Sequence, residues 1–191
     1  LHAREALAAN GATALVDSPY GPIAPANDLS TGLPLLQLPP GFSYKSYGWR
    51  GDTMSDGRPC PGGHDGMGVI VTRKVGRNTE QVLVRNHEIS GSAAVNFINA
   101  YGLYDTGNVS GSSGNRSCGG TTNLVFRDGD WVSMTPSLGG TQQNCAGGIT
   151  PWGTWLTCEE IGSDNVSAGG KKHGYVFEVT ADVQQVTGQP I

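Results

Sequence analysis

The feature that most constrains this chain is a layout used twice: a short apolar run that stops on side chains able to bind metal. Thr154-Trp155-Leu156-Thr157 has the aromatic and β-branched make-up of a strand, Pro151 and Gly153 punctuate its approach, and Cys158-Glu159-Glu160 follow at once. Gln81 to Arg85 is a second such run, and Asn86-His87-Glu88 follow it. A thiolate and carboxylate oxygens at one strand end suit a soft or borderline metal beside a hard one. The same letters also read as a buried structural cysteine followed by two solvated acids, because cysteine is among the most buried residue types. His87 and Glu88 would likewise serve to cap a turn.

Thirty glycines with 15% charged residues fit many short strands joined by tight loops, so the expected class is all-β. Met67 to Thr72 and Gln81 to Arg85 predict a hairpin whose turn lies in Val75 to Thr79. Thr121 to Phe126 and Trp131 to Met134 flank Arg127-Asp128-Gly129-Asp130, with the hairpin signal Asp-Gly at its centre. Phe42 to Tyr47 alternates aromatic and polar, which predicts a half-buried strand, and Gly174 to Val179 reads as the last strand. About eight strands result. Residues 2–9 are good helix formers but too few to hold a helix alone. Residues 10–32 have little periodicity, so residues 1–37 read as an irregular, extended arm before a β domain at 38–191. Gly51 to Gly66 reads as a loop carrying Asp52, Asp56, His64 and Asp65, without the spacing of an EF-hand. Ser92 to Tyr101 predicts a helical turn or two, and Asp105 to Gly120 a surface loop. Asn108, Asn115 and Asn165 each begin an N-x-S triplet.

Several function classes drop out. A net charge of −4 and a pI near 5.5 leave no basic stripe for nucleic acid. No apolar run is long enough to span a membrane. There is no phosphate-binding glycine loop opening a helix, no G-x-S-x-G and no H-E-x-x-H. Cys60, Cys118, Cys145 and Cys158 form no C-x-x-C pair, which argues against a structural zinc. Cys60 and Cys118 lie in loops rich in Gly, Pro and Ser and are the first pair to expect in a disulfide; Cys145 with either is nearly as good.

The stretch TPWGTWLTCEE, with GGHDGMGV (Gly62 to Val69), LVRNHE (Leu83 to Glu88), GGTTNLV (Gly119 to Val125) and HGYVFEV (His173 to Val179), resembles the PhoX-type alkaline phosphatases. The motifs occur in the family's order over roughly residues 38 to 180. The resemblance implies a secreted, periplasmic or cell-surface β-propeller that hydrolyses phosphate monoesters with iron and calcium. This chain would be its N-terminal portion, about two blades, where closure takes at least about four. By resemblance Cys158 is an iron ligand. Glu159, Glu88 and Asp65 are then candidate oxygen donors to iron or calcium, and Asn86, His87 and Glu160 contact phosphate or orient the ligands. Partners would be small phosphorylated substrates and the remaining C-terminal part, which would bring further acids and an arginine. Two other readings share the motifs: a non-catalytic secreted or cell-surface propeller with structural calcium, and a lactonase-like calcium hydrolase that leaves cysteine outside its site.

Overall fold

A computed structural model describes residues 18–89, 97, 99–106 and 117–191. The chain divides into two compact units, Leu1–Tyr47 and Gly48–Ile191. The helix formers at 2–9, most of the helical turn expected over 92–101 and the triplets at Asn108 and Asn115 lie outside the described residues.

In the first unit, β1 (Ala24–Ala26) pairs antiparallel with β2 (Leu36–Leu38). Phe42 to Tyr47 is not a strand, against the alternating pattern. Its polar groups are spent on turns instead. The Tyr44 hydroxyl accepts from the Leu35 and Leu36 amides, at 2.8 and 3.1 Å, and lies 3.0 Å from the Ala26 carbonyl. Buried Asp28 accepts from the Ser46 amide at 2.7 Å, from the Ser46 hydroxyl at 2.6 Å and from the Thr31 hydroxyl at 2.7 Å. Burial works against its charge, but these bonds, Ser46 first, hold its carboxyl below the usual range.

Among its described residues, the second unit is all-β apart from two short 3₁₀ turns, Val166–Ala168 and Val183–Gln185. β3 (His64–Val75), β4 (Asn78–His87), β6 (Gly119–Arg127) and β7 (Asp130–Thr141) form an antiparallel meander, and β5 (Gly102–Leu103) adds parallel to β7. β8 (Asn144–Ile149), β9 (Trp155–Glu159) and β10 (Val176–Val179) make a second, antiparallel sheet. Both expected hairpins form. The second turns on two residues, Asp128 and Gly129, each with positive φ, as a tight hairpin between right-twisted strands requires. The Gly51–Gly66 stretch is a loop up to His64, and its acids cap turns: Asp52 accepts from the Trp49 amide and Asp56 from the Arg58 amide.

The sheets meet through Ile70, Val82, Val84 and Leu138 on one side and Trp155, Phe177 and Val179 on the other. Alternation along β4 sends Val82, Val84 and Asn86 to this interface and Arg85 and His87 to the opposite face. At the far end of β4, Glu80 ties three strands together through Arg73 and Arg127, whose guanidinium groups hold its carboxyl below the usual range.

Candidate metal centre

Four strand ends converge at one corner of the second unit. Asp65 begins β3, Glu88 follows β4, Cys145 lies in β8 and Glu160 follows β9. Backbone bonds knit them together: Glu88 N–H to Gly63 O at 2.6 Å, Gln143 N–H to Ile89 O at 3.0 Å, and Glu160 N–H to Gln143 O at 3.0 Å. Between the pairs Asn144↔Glu159 and Gly147↔Thr157, two β8 residues, Cys145 and Ala146, face one β9 residue, Cys158. Such a bulge re-aims a side chain, and it is Cys145 that joins the acids. One ligand atom each from Asp65, Glu88 and Cys145 falls within 4.8 Å of the others.

The acids and the thiol crowd one another electrostatically. Glu88 lies within hydrogen-bond reach of both Asp65 and Glu160, and its carboxyl is pushed up by Asp65 first, then by partial burial and Glu160. Burial raises the Cys145 thiol as well, and Asp65, Glu160 and Glu88 add to it. Crowding of like groups thus favours the neutral forms of Glu88 and Cys145, and a bound metal would reverse that balance.

The motif glycines make the convergence sterically feasible. A Cβ on Gly66 would sit 2.7 Å from the Cys145 carbonyl. Gly63 has φ +63°, and a Cβ there would sit 2.6 Å from the Glu88 carbonyl. Asn86 supports the cluster from beneath. Its buried amide donates to the carbonyls of Cys145 (2.8 Å) and Ala146 (3.0 Å) and accepts from the Trp155 indole (2.9 Å). His87 is fully buried. Its Nδ1–H faces the Gly62 carbonyl at 3.0 Å, so Nε2 accepts from the Thr122 hydroxyl at 3.0 Å. Burial, then the Arg85 charge, keeps it neutral. With both ring nitrogens occupied, His87 positions the loop before Asp65.

The residues expected from the TCEE motif separate. Glu160 reaches the cluster. Glu159 turns inward, where its carboxylate accepts from Gln142 N (2.8 Å), His173 Nδ1 (2.7 Å), Gly174 N (2.7 Å) and Tyr175 N (3.1 Å). Cys158 is half-buried on β9, one strand over, and the cluster's thiol is Cys145. Sequence reasoning gave Cys145 no metal role. The available signal was alternation: neighbours on a strand point to opposite faces, so Cys158 and Glu159 do not share a site. No disulfide joins Cys60 to Cys118. Cys60 packs with its sulfur 3.4 Å from Arg85 Nη2 and 3.7 Å from His64 Nε2, and Cys118 is buried beside β6. Cys60, His64 and His87 also bring donor atoms within 4.8 Å, but the guanidinium beside the sulfur opposes a cation there. Asp105, expected in a surface loop, is buried, and so is Asn165 of the third triplet.

Fold and site together define an all-β protein with a cation-competent cluster of acids and a thiol at its strand ends. The chain belongs to the family described as alkaline phosphatase PhoX, whose model matches residues 18–137 and 127–191. Neither a curated protein nor a solved structure matches it. Membership places it among the alkaline phosphatase-like hydrolases, metal-dependent enzymes that act on phosphorylated substrates. Among the described residues, no helix is long and apolar enough to cross a membrane.

Proposed function

We propose that this chain contributes part of the metal centre of a secreted, periplasmic or cell-surface alkaline phosphatase that hydrolyses phosphate monoesters. The observation that carries the reading is the convergence of Asp65, Glu88, Glu160 and Cys145 from four separate strand ends. The meander β3-β4-β6-β7 has the strand order of one propeller blade, and β8-β9-β10 begins another, which supports a propeller completed by further sheets. In a propeller, strand ends from several blades meet at the central channel.

The donor set fits the metals the family implies. Three carboxylates suit a hard ion such as calcium, and a thiolate beside them suits iron. Bound metal would neutralise the phosphoryl oxygens and activate an oxygen nucleophile. The chain's own residues do the rest. Asp65, Glu88 and Glu160 would hold hard cations and Cys145 would supply the softer donor, while Asn86 fixes the Cys145 backbone and His87 fixes the turn at Gly62. Arg85, packed against Cys60 and Met134 on the opposite face of β4, does not serve the phosphate.

The test is p-nitrophenyl phosphate hydrolysis by the full-length protein, with and without chelator, for Cys145→Ser and Cys158→Ser. The expected result is chelator-sensitive turnover that falls at least about tenfold in Cys145→Ser. Loss confined to Cys158→Ser would return the thiolate role to Cys158. No turnover and calcium as the sole bound metal would establish the non-catalytic propeller instead.

A further inference from the structure

A chain of charged groups lies buried behind the cluster. His173 has no exposed side-chain surface and stands between two carboxylates, with Nδ1 2.7 Å from Glu159 Oε1 and Nε2 3.0 Å from Asp105 Oδ2. Asp105 Oδ2 also accepts from the Ser117 hydroxyl and the Lys171 amide, both at 3.1 Å. Each ring nitrogen thus has a carboxylate oxygen as its partner, an arrangement that a doubly protonated ring satisfies at both ends. Burial works against that charge; the bonds to Glu159 and Asp105 outweigh it. The chain makes the bonds of an imidazolium clamp.

Glu159, at one end of this series, is bonded to the amide of Gln142 and is one peptide from Glu160. The next residue, Gln143, is the one that holds Glu160 N–H and Ile89 O, the backbone bonds that set the cluster's spacing. Gln142 is itself held, with its Oε1 accepting from the Ser163 hydroxyl at 2.8 Å and its Nε2 donating to Ser117 at 3.3 Å. The β7–β8 turn is therefore held by the Glu159 carboxylate one residue before the peptide that spaces the acids.

We infer that His173, clamped between Asp105 and Glu159, is a positioning residue for the acidic cluster: it sets the cation affinity of Asp65, Glu88 and Glu160 without touching the cation. The inference rests on the cluster being a cation site. A buried charge pair that joins three chain segments fixes a geometry; the same clamp made of apolar groups would fix it less specifically.

The experiment is calorimetric titration of the chelator-stripped full-length protein with calcium alone, for wild type, His173→Gln, Asp105→Asn, Glu88→Gln and Glu80→Gln. Glu80→Gln loosens a clamp at the far end of β4 and controls for loss of stability. The inference expects calcium affinity to fall about tenfold or more in His173→Gln and Asp105→Asn, to vanish in Glu88→Gln, and to hold in Glu80→Gln. With iron resupplied, it also expects excess calcium to restore turnover in the first two, as a purely structural defect would not. Folded His173→Gln and Asp105→Asn proteins with wild-type affinity overturn the inference and leave the site standing. No calcium binding by the wild type overturns both. If neither variant folds, the clamp is structural only and the inference fails.

Discussion

Replacing Asn86 with leucine keeps the branched outline of a fully buried side chain and deletes three hydrogen bonds. The Trp155 indole N–H, on a side chain 4% exposed, loses its acceptor, and the carbonyls of Cys145 and Ala146 lose their donors. A buried donor left unpaired costs about 1–3 kcal/mol, and an ordinary bond contributes about 1 kcal/mol. Ala146 is exposed, so water replaces part of that bond. The sum is a loss of about 2–5 kcal/mol, a large share of the stability of a domain this size. Urea unfolding followed by tryptophan fluorescence measures it, with chelator present so that metal does not mask the effect. Asn86→Asp sharpens the test, because it keeps an acceptor for Trp155 but turns a carboxylate oxygen towards the two carbonyls, and it should be at least as damaging. In the metal-loaded protein, Asn86→Leu should also weaken cation binding, since the Cys145 backbone is then untethered. A loss below about 1 kcal/mol, or an unchanged cation affinity, would refute the view that this amide fixes the bulge of β8.

Three further outcomes follow from the same geometry. Gly66→Ala drives a Cβ to within 2.7 Å of the Cys145 carbonyl and should cost about 1–3 kcal/mol in urea unfolding while lowering calcium affinity. Glu88→Gln removes the like charge that crowds Asp65 and Glu160, so the chelated protein at pH 7 should become more stable even as calcium binding is lost; a lower midpoint would contradict the repulsion. Glu80 has a depressed carboxyl, so its contribution is present above the ordinary range near pH 4.3 and is lost as pH falls through its folded value. Glu80→Gln should flatten that acid limb, most clearly at low salt, because the Arg73 side chain is 54% exposed.

The two hairpins were legible because their signals are local: β-branched runs and, between β6 and β7, a two-residue Asp-Gly turn. The strand ends carrying Glu88 and Glu160 were legible for the same reason. β8 was not, since Asn144-Cys145-Ala146-Gly147-Gly148-Ile149 lacks β-branched residues before its end, and its glycines serve to let Trp155 lie against the backbone. That Cys145 lies beside Asp65 and Glu88 depends on a bulge, which register alone reveals. Glu159 and Glu160 look equivalent in sequence and part because one faces His173. That histidine's other partner, Asp105, lies 68 residues away, beyond any local pattern. Phe42 to Tyr47 misled because a turn stapled by Asp28 and Tyr44 shows the same alternation as a strand.

The most direct test of the central claim is the metal content of natively purified full-length protein, wild type beside an Asp65→Asn/Glu88→Gln variant. The account predicts bound iron and calcium in the wild type and their loss, in whole or large part, from a variant that still folds. Equal metal content in the two proteins would place the metal elsewhere and contradict the assignment of these strand ends as its site.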